Sequence, residues 1–136
     1  MDDQQRLRYS RHLLLDGFGE DSQERLLASH AVVVGAGGLG SGALLYLASS
    51  GVGRITIADG DVVDLTNLQR QVVHRVDAIG TNKAASAAST LATINPEVSV
   101  LALPERLGPE GLRALAREAD VVLDCSDNFA TRHAIN

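Results

Sequence analysis

A glycine-rich run is the first feature of this sequence that could do chemistry. It reads Gly-Ala-Gly-Gly-Leu-Gly from position 35, matches the G-x-G-x-x-G pattern, and follows a β-branched run directly. Glycines let backbone N–H groups approach phosphate oxygens closely, and a helix that begins here directs the positive end of its dipole at them. The pattern predicts a nucleotide site that includes Gly35, Gly37, Gly38 and Gly40. The open alternative is that these glycines only permit close packing of a helix on a sheet.

A polar segment after the next hydrophobic run supplies further groups suited to a nucleotide. Asp59 ends that run, where a carboxylate is placed to accept hydrogen bonds from ribose hydroxyls, and Asp61 follows it. A triphosphate needs cations and amide donors, and Asn67, Arg70 and Lys83 provide them from separate short segments. A nicotinamide dinucleotide needs little here beyond a contact near its adenine. The segment therefore favours a triphosphate, although the glycine pattern taken alone suggests NAD.

Several of these side chains also have purely structural interpretations. Lys83 begins an Ala-rich helix and could be a solvated surface lysine. Arg70 could pair with Asp61 or Asp64 on a surface loop. His74 lies near the same polar segment, but it shows no metal-ligand or triad spacing and is interpreted as local structural support.

A carboxylate beyond the last predicted strand completes the candidate site. In a Rossmann sheet the first and fourth strands flank the point where ligands bind, so Asp127 is expected to face the glycine run. A carboxylate that faces phosphates repels them unless a divalent cation lies between, and Mg²⁺ is often held by one carboxylate together with phosphate oxygens. Asp127 is therefore the predicted Mg²⁺ ligand. Alternatively, it caps the helix that starts near Asn128.

Alternating strands and helices are predicted to hold these groups in place. The β-branched and apolar runs predict strands over Ala31–Val34, Arg54–Ala58, Val98–Leu103 and Val121–Asp124. The intervening segments predict helices over Leu39–Ser50, Thr81–Asn95 and Pro109–Ala119. Right-handed crossovers between such strands give an α/β fold with a Rossmann-like, mostly parallel, doubly wound sheet. Residues 1–28 are expected to form an N-terminal helical arm, and residues 29–136 the nucleotide-binding portion.

Composition excludes several other classes of protein. The 136 residues carry 12 Lys+Arg against 17 Asp+Glu, a net charge of −5, which speaks against general binding of nucleic acid or anionic membranes. No apolar run is long enough for a membrane span, and the polar N-terminus lacks the core of a signal peptide, so a soluble cytoplasmic protein is expected. A single cysteine, Cys125, excludes an internal disulfide. With no obvious base beside it, Cys125 is interpreted as a small buried side chain rather than a nucleophile.

Taken together, the motifs resemble the N-terminal portion of the ThiF/MoeB/HesA family, the bacterial relatives of ubiquitin-activating enzymes. The matching segments run in the family order over nearly the whole chain. They are Arg8-Tyr9-Ser10-Arg11, Gly35–Gly40, Asp59-Gly60-Asp61, Asn67–Gln71, Gly80 with Lys83, Asn95-Pro96 and Asp124–Asn128. Each is weak alone, but their combination is specific.

The resemblance implies an ATP-dependent adenylyltransferase. Such enzymes activate the C-terminal glycine carboxylate of a small ubiquitin-like sulfur-carrier protein, in molybdopterin or thiamine biosynthesis, and form an acyl-adenylate and pyrophosphate. It also implies that Asp59 binds the ribose, that the triphosphate is held by Asn67, Arg70 and Lys83, and that Asp127 holds Mg²⁺.

The resemblance further implies a homodimer. Arg11 is expected to reach the nucleotide of the neighbouring subunit, and Tyr9 to dock against that subunit with the rest of the arm. Zinc, if any is bound, is expected from residues beyond Asn136. Two other functions stay open at this point: an NAD-dependent oxidoreductase, and a non-catalytic fragment that binds nucleotide or carrier.

Overall fold

Four parallel strands form a sheet at the centre of the structure, a computed structural model that describes residues 1–136. They are β1 (His30–Val34), β2 (Arg54–Ala58), β3 (Ser99–Leu103) and β4 (Val121–Asp124). Their order across the sheet is β3-β2-β1-β4, and every pair of neighbours is parallel. The predicted juxtaposition of the first and fourth strands is therefore confirmed. From β1 the chain adds β2 and β3 on one side and β4 on the other, and ligands bind at such a switch point.

Seven α-helices surround this sheet. They are α1 (Asp3–Arg8), α2 (Ser10–Leu13), α3 (Gly19–Leu27), α4 (Gly38–Ser50), α5 (Lys83–Ile94), α6 (Pro109–Glu118) and α7 (Phe129–Ile135). Short 3₁₀ turns at Leu65–Asn67 and Val76–Ala78 interrupt the connection from β2 to α5. No helix combines the length and the apolar character that crossing a membrane requires.

The core lies on both faces of β1, as expected for an inner strand of a parallel sheet. All five residues of β1 are buried, and four of them are Ala or Val. Ala31 and Val33 belong to a large cluster with residues of α4 and α5, whereas Val32 and Val34 pack with Leu112 of α6 on the opposite face. The predicted doubly wound arrangement is confirmed.

Asparagine caps set the first residues of two helices, α5 and α7. Helix α5 begins at Lys83 rather than Thr81, because the Asn82 Oδ1 atom accepts a hydrogen bond from Ala85 N at 3.0 Å. Helix α7 begins at Phe129, and its cap is Asn128, which accepts from Thr131 N at 2.8 Å. The interpretation of Asp127 as that cap is therefore wrong, and its carboxylate is free for another role.

The N-terminal helices pack against the body through Tyr9. Its side chain is 2% exposed, and its hydroxyl accepts a hydrogen bond from Asn95 Nδ2 at 2.8 Å. A Cβ atom on Gly51 would lie 2.7 Å from this ring, so only glycine leaves room for it. Gln23 adds a second attachment by donating from Nε2 to Ser50 O at 2.9 Å. The expected docking of Tyr9 on a partner subunit is wrong, because Tyr9 is buried within its own chain.

The hydroxyl of Tyr9 predicts a measurable loss of stability. Replacing Tyr9 by phenylalanine leaves one buried N–H of Asn95 without an acceptor, so we expect the free energy of unfolding to fall by about 1–2 kcal/mol. Chemical denaturation measures this change. Tyr46→Phe removes the same hydroxyl from a side chain that is 80% exposed and is expected to change little. Equal effects of the two variants would contradict the role given to the Tyr9 hydroxyl.

Candidate nucleotide site

A cavity of about 340 Å³ opens at the carboxyl ends of the central strands. Its volume lies within the usual range for small-molecule sites. Eight of the predicted site residues line it: Gly35, Gly37, Gly38, Asp59, Asp61, Arg70, Lys83 and Asp127. Three predicted residues do not, namely Gly40, Asn67 and Arg11. The structure therefore brings together most of the residues expected at a nucleotide site.

The glycine loop combines the two interpretations that its sequence left open. Gly35 has a φ of +102°, and a Cβ atom there would lie 2.6 Å from Cys125 O. A Cβ atom on Gly40 would overlap Gly35 O, so both glycines are required for close packing. Gly38, at the start of α4, has open space where its side chain would be. Its position leaves room for a ligand at the N-terminus of the helix.

Asp59 ties the end of β2 to the glycine loop. Its Oδ2 atom accepts from Ala36 N at 2.8 Å, and its Oδ1 atom accepts from Asp61 N at 2.8 Å. The side chain of Asn82 also donates to Asp59 O at 2.8 Å. These contacts fix the carboxylate at the cavity wall, where its remaining lone pairs can accept from hydroxyl groups.

Lys83 is a mostly buried residue whose ammonium group has no counter-ion. It is 8% exposed, lines the cavity, and takes part in none of the ion pairs of the chain. The interpretation as a solvated surface lysine is therefore wrong. Its Nζ atom makes no hydrogen bond and is not among the buried unpaired polar atoms, so the ammonium group is accessible from the cavity, where it can bind an anionic ligand.

Arg70 is exposed and also lines the cavity. Its Nη1 atom donates to Thr66 O and to Gln69 Oε1, each at 3.3 Å, and it forms no ion pair. The alternative pairing with Asp64 is not observed. Asp64 instead accepts from the hydroxyl and backbone N–H of Thr66, which hold the pKa of its carboxyl group below the usual value. The charge of Arg70 is therefore available to a ligand.

Asn67 and Arg11 lie outside the cavity lining. Asn67 Oδ1 accepts from Asp64 N at 3.0 Å and thereby closes the short turn that precedes Arg70. Arg11 lies on α2 with an exposed side chain. Contact of either residue with a nucleotide stays a prediction, and for Arg11 that contact requires a second subunit.

Asp127 is exposed at the cavity edge, between β4 and α7. Its neighbour Asp124 is already bound to the hydroxyl and backbone N–H of Ser126. No group of three or more His, Cys, Asp or Glu side chains in the chain could hold a metal ion by itself. A single carboxylate at the edge of a cavity that could hold phosphates fits Mg²⁺, which commonly completes its coordination with phosphate oxygens and water. A cation bound through protein side chains alone does not fit.

Other lining residues come from loops whose roles the motifs do not reveal. Glu105, Arg106 and Leu107 follow β3, and Ser126 and Arg132 lie around the start of α7. Arg132 donates from Nη2 to Ser126 O at 2.9 Å, so it braces the loop that carries Asp127. The signal that could have found these residues is their position after strands that end at the crevice.

His74 joins the glycine loop to α5. It is 6% exposed, and its Nε2 atom donates to Ala36 O at 2.7 Å, since a carbonyl oxygen can only accept. The opposite ring nitrogen, Nδ1, accepts from Ser86 Oγ at 2.8 Å. Burial lowers the pKa of the His74 imidazole, and Lys83 lowers it further. The interpretation as structural support is confirmed.

This lowered pKa predicts a pH dependence of stability. The unfolded chain binds a proton at His74 near its ordinary pKa of about 6.5, before the folded chain does. Stability that is present above this pKa is therefore lost as the pH falls through the lower folded value. We expect the free energy of unfolding to decrease between about pH 7 and pH 5, and His74→Gln to flatten this slope. Urea denaturation at several pH values measures it, with exposed His133→Gln as control; an unchanged slope in His74→Gln would contradict the assignment.

Cys125 lies directly after β4, lines the cavity and has its backbone next to Gly35 of the glycine loop. Burial raises the pKa of its thiol, and the charge of Asp124 raises it further. Since the thiolate is the nucleophilic form, this environment disfavours covalent chemistry at Cys125. Cys125 is half-buried rather than buried and packs against the larger core cluster, which agrees with the predicted packing role.

Comparison with known proteins places this geometry in context. The chain is 50% identical over 129 residues to the SAMP-activating enzyme E1 of Haloferax volcanii, covering 95% of this chain and 48% of that protein. It is 46% identical over 136 residues to the sulfur carrier protein ThiS adenylyltransferase of Escherichia coli, covering 100% of this chain and 54% of that protein. The E. coli tRNA N6-threonylcarbamoyladenosine dehydratase TcdA, solved in complex with ATP, matches with a TM-score of 0.90 at 32% identity, over 98% of this chain and 55% of that one.

The extent of these matches identifies the family. The chain spans about half the length of the curated relatives it matches. The sequence profile of the ThiF family covers residues 9–136, which include all the motifs that carry the resemblance except Arg8 of the first one. The chain therefore belongs to the ThiF family.

Proposed function

We propose that this chain is the nucleotide-binding portion of an ATP-dependent adenylyltransferase. Its acceptor is the C-terminal glycine carboxylate of a small ubiquitin-like sulfur-carrier protein. The observation that carries the proposal is the unpaired charge of Lys83, a mostly buried residue, in a cavity that also holds the open N-terminus of α4. Both features attract phosphate groups. Its similarity to a ThiS adenylyltransferase and to TcdA in complex with ATP supports the proposal.

The proposed reaction is an in-line displacement at phosphorus. A carboxylate oxygen of the carrier forms a bond to the α-phosphorus of ATP, while the bond from that phosphorus to the bridging oxygen of pyrophosphate breaks. Pyrophosphate leaves with the bonding electron pair, and the carrier becomes an acyl-adenylate. No protein nucleophile takes part, which agrees with the disfavoured thiolate of Cys125.

The residues of this chain contribute position and charge. Asp59 accepts from the ribose hydroxyls, and the backbone of the glycine loop approaches the phosphates. Lys83 and Arg70 lie on separate elements at the cavity wall, so they contact different parts of the triphosphate and stabilise the charge that develops on the leaving group. Asp127 would hold Mg²⁺, which neutralises phosphate charge when bound.

Binding and exchange measurements on the full chain test this proposal. Calorimetry is expected to show tighter binding of ATP with Mg²⁺ than of NAD(H), because the site presents two cations to a triphosphate. Addition of a ThiS-type carrier is expected to start ATP–pyrophosphate exchange, and a carrier without its terminal glycine serves as the control. Tighter binding of NAD(H) would instead support an oxidoreductase. Binding of ATP without exchange would indicate a fragment that binds nucleotide but does not turn over.

The active assembly is proposed to be a homodimer in the cytoplasm, where ATP is available. Arg11 is exposed on α2 and does not line the cavity of its own chain, so it serves the site of the neighbouring subunit.

Mixed dimers test the trans role of Arg11. One chain carries Arg11→Ala, and the other carries Lys83→Met, so that one site keeps both residues if Arg11 acts in trans. That mixture is expected to recover up to about half of the activity of the intact dimer, by simple counting of sites. The assignment would be contradicted if this mixture recovered no activity, while a dimer of one doubly changed chain with one parent chain did.

A further inference from the structure

Gln71 is a buried amide that the fold leaves without a partner. Its side chain is 4% exposed and lines the cavity. Its Oε1 atom is buried and makes no hydrogen bond, a state shared only with Ser41 Oγ among the buried side-chain polar atoms of the chain. Leaving such a group unpaired is costly, and native structures do so rarely. The Nε2 atom makes no hydrogen bond either and is not among the buried polar atoms, so the donor end of the amide is open to a ligand in the cavity.

The backbone of Gln71 holds this amide against the glycine loop. Gln71 N donates to Asn67 O at 2.9 Å, and Gln71 O accepts from His74 N at 3.1 Å, so the residue is fixed at both ends of a tight turn. Its Nε2 atom lies 3.4 Å from the point where a Cβ atom on Gly37 would be, which is ordinary contact distance. The amide thus lies beside the loop whose next residue, Gly38, has open space.

We propose that Gln71 binds the phosphate chain of the nucleotide through its side-chain NH₂ group; this inference rests on the proposed function. Lys83 and Arg70 attract phosphate by charge, but neither side chain is held by more than weak contacts. The Gln71 amide packs beside Gly37 at the cavity and adds a directional donor, which selects one orientation of the phosphates over the loop.

Replacing Gln71 by glutamate tests the donor directly. The side chain keeps its shape, but two N–H donors are replaced by an anionic acceptor that repels phosphate. We expect the dissociation constant for ATP with Mg²⁺ to rise about tenfold or more, while that for adenosine changes by less than about threefold. Gln71→Met has similar length without polar atoms and is expected to weaken ATP binding by about three- to tenfold. Titration calorimetry on the full chain measures the dissociation constants for ATP and for adenosine in the parent chain and in both variants.

A charge control and a folding control complete the experiment. Val72→Glu adds the same charge one residue away on a side chain that is 60% exposed, and it is expected to leave ATP affinity within about twofold. Thermal unfolding shows which variants are folded; if Gln71→Glu is not, Gln71→Met decides.

The outcomes separate this inference from the proposed function. Failure of the parent chain to prefer ATP over NAD(H) overturns the proposed function itself. If the parent chain binds ATP, three results overturn the role of Gln71 alone. These are parent-like ATP binding by Gln71→Met, equal effects of Gln71→Glu and Val72→Glu, or equal losses for adenosine and ATP.

Discussion

Replacement of Lys83 by methionine is expected to abolish carrier-dependent ATP–pyrophosphate exchange without destabilising the fold. Lys83 is 8% exposed, lines the cavity and has no carboxylate within ion-pair distance, so its ammonium group makes no specific contact within the chain. In the proposed reaction this charge meets the triphosphate in a partly enclosed site, where a fixed cation is most effective. Loss of such a group is expected to slow exchange by about 100-fold or more.

The same substitution is expected to leave stability nearly unchanged. The ammonium group makes no ion pair or hydrogen bond that its removal would break, and methionine fills similar volume at this mostly buried position. We expect the free energy of unfolding of Lys83→Met to lie within about 1 kcal/mol of that of the parent chain. Unchanged stability with a loss of exchange would mark a residue retained for ligand binding. A loss of both would instead indicate that Lys83 supports the fold.

Arg75→Met is the matched control for lost charge. Arg75 is exposed and lies outside the cavity, so its replacement removes one positive charge without touching the site. Exchange is expected to fall less than about threefold, through long-range electrostatics alone. Lys83 is also the only lysine of the chain, so amine-selective labelling reports on it directly, apart from the N-terminus. ATP is expected to protect Lys83 from the reagent, and labelling unaffected by ATP would contradict its contact with the nucleotide.

The fold could be predicted because local patterns and topology agree. Strands β2 and β4 have the predicted bounds, since β-branched runs bounded by Gly, Asp or Ala leave little choice of length. The crossover rule then fixes the strand order around β1 and brings Asp127 to the same edge as the glycine loop. Helix α5 begins later than predicted because Asn82 caps it, and a cap of this kind depends on side-chain geometry.

Contacts between distant segments could not be predicted in the same way. Tyr9 lies in a helical arm that the sequence does not connect to anything, and its burial depends on Gly51 and Asn95, far along the chain. The sequence also does not distinguish Gln71 from its neighbours in a polar run. Only the packing of the turn against Gly37 shows that this amide is buried and unpaired.

The second large effect is expected in the glycine loop, where substitution of Gly40 mainly lowers stability and substitution of Gly38 mainly lowers ATP affinity. In Gly40→Ala the new methyl group overlaps Gly35 O, a backbone atom that cannot move without displacing the end of β1. We expect the free energy of unfolding to fall by about 3 kcal/mol, the upper range for overpacking a close contact. For a domain of this size, the melting temperature is expected to fall by about 10 °C. ATP affinity is expected to fall with it, because the loop is displaced.

Gly38→Ala is expected to keep the fold and lose the ligand. No atom lies within contact of the new methyl group, and alanine favours the first turn of α4, so stability is expected to hold or to rise by about 0.5 kcal/mol. The methyl group nevertheless occupies the space at the helix N-terminus where phosphate oxygens approach the backbone, so ATP affinity is expected to fall about tenfold. Denaturation and calorimetry on both variants separate packing from binding. If Gly38→Ala binds ATP like the parent chain, the phosphates do not lie over this loop, and the cavity must hold the nucleotide in another orientation.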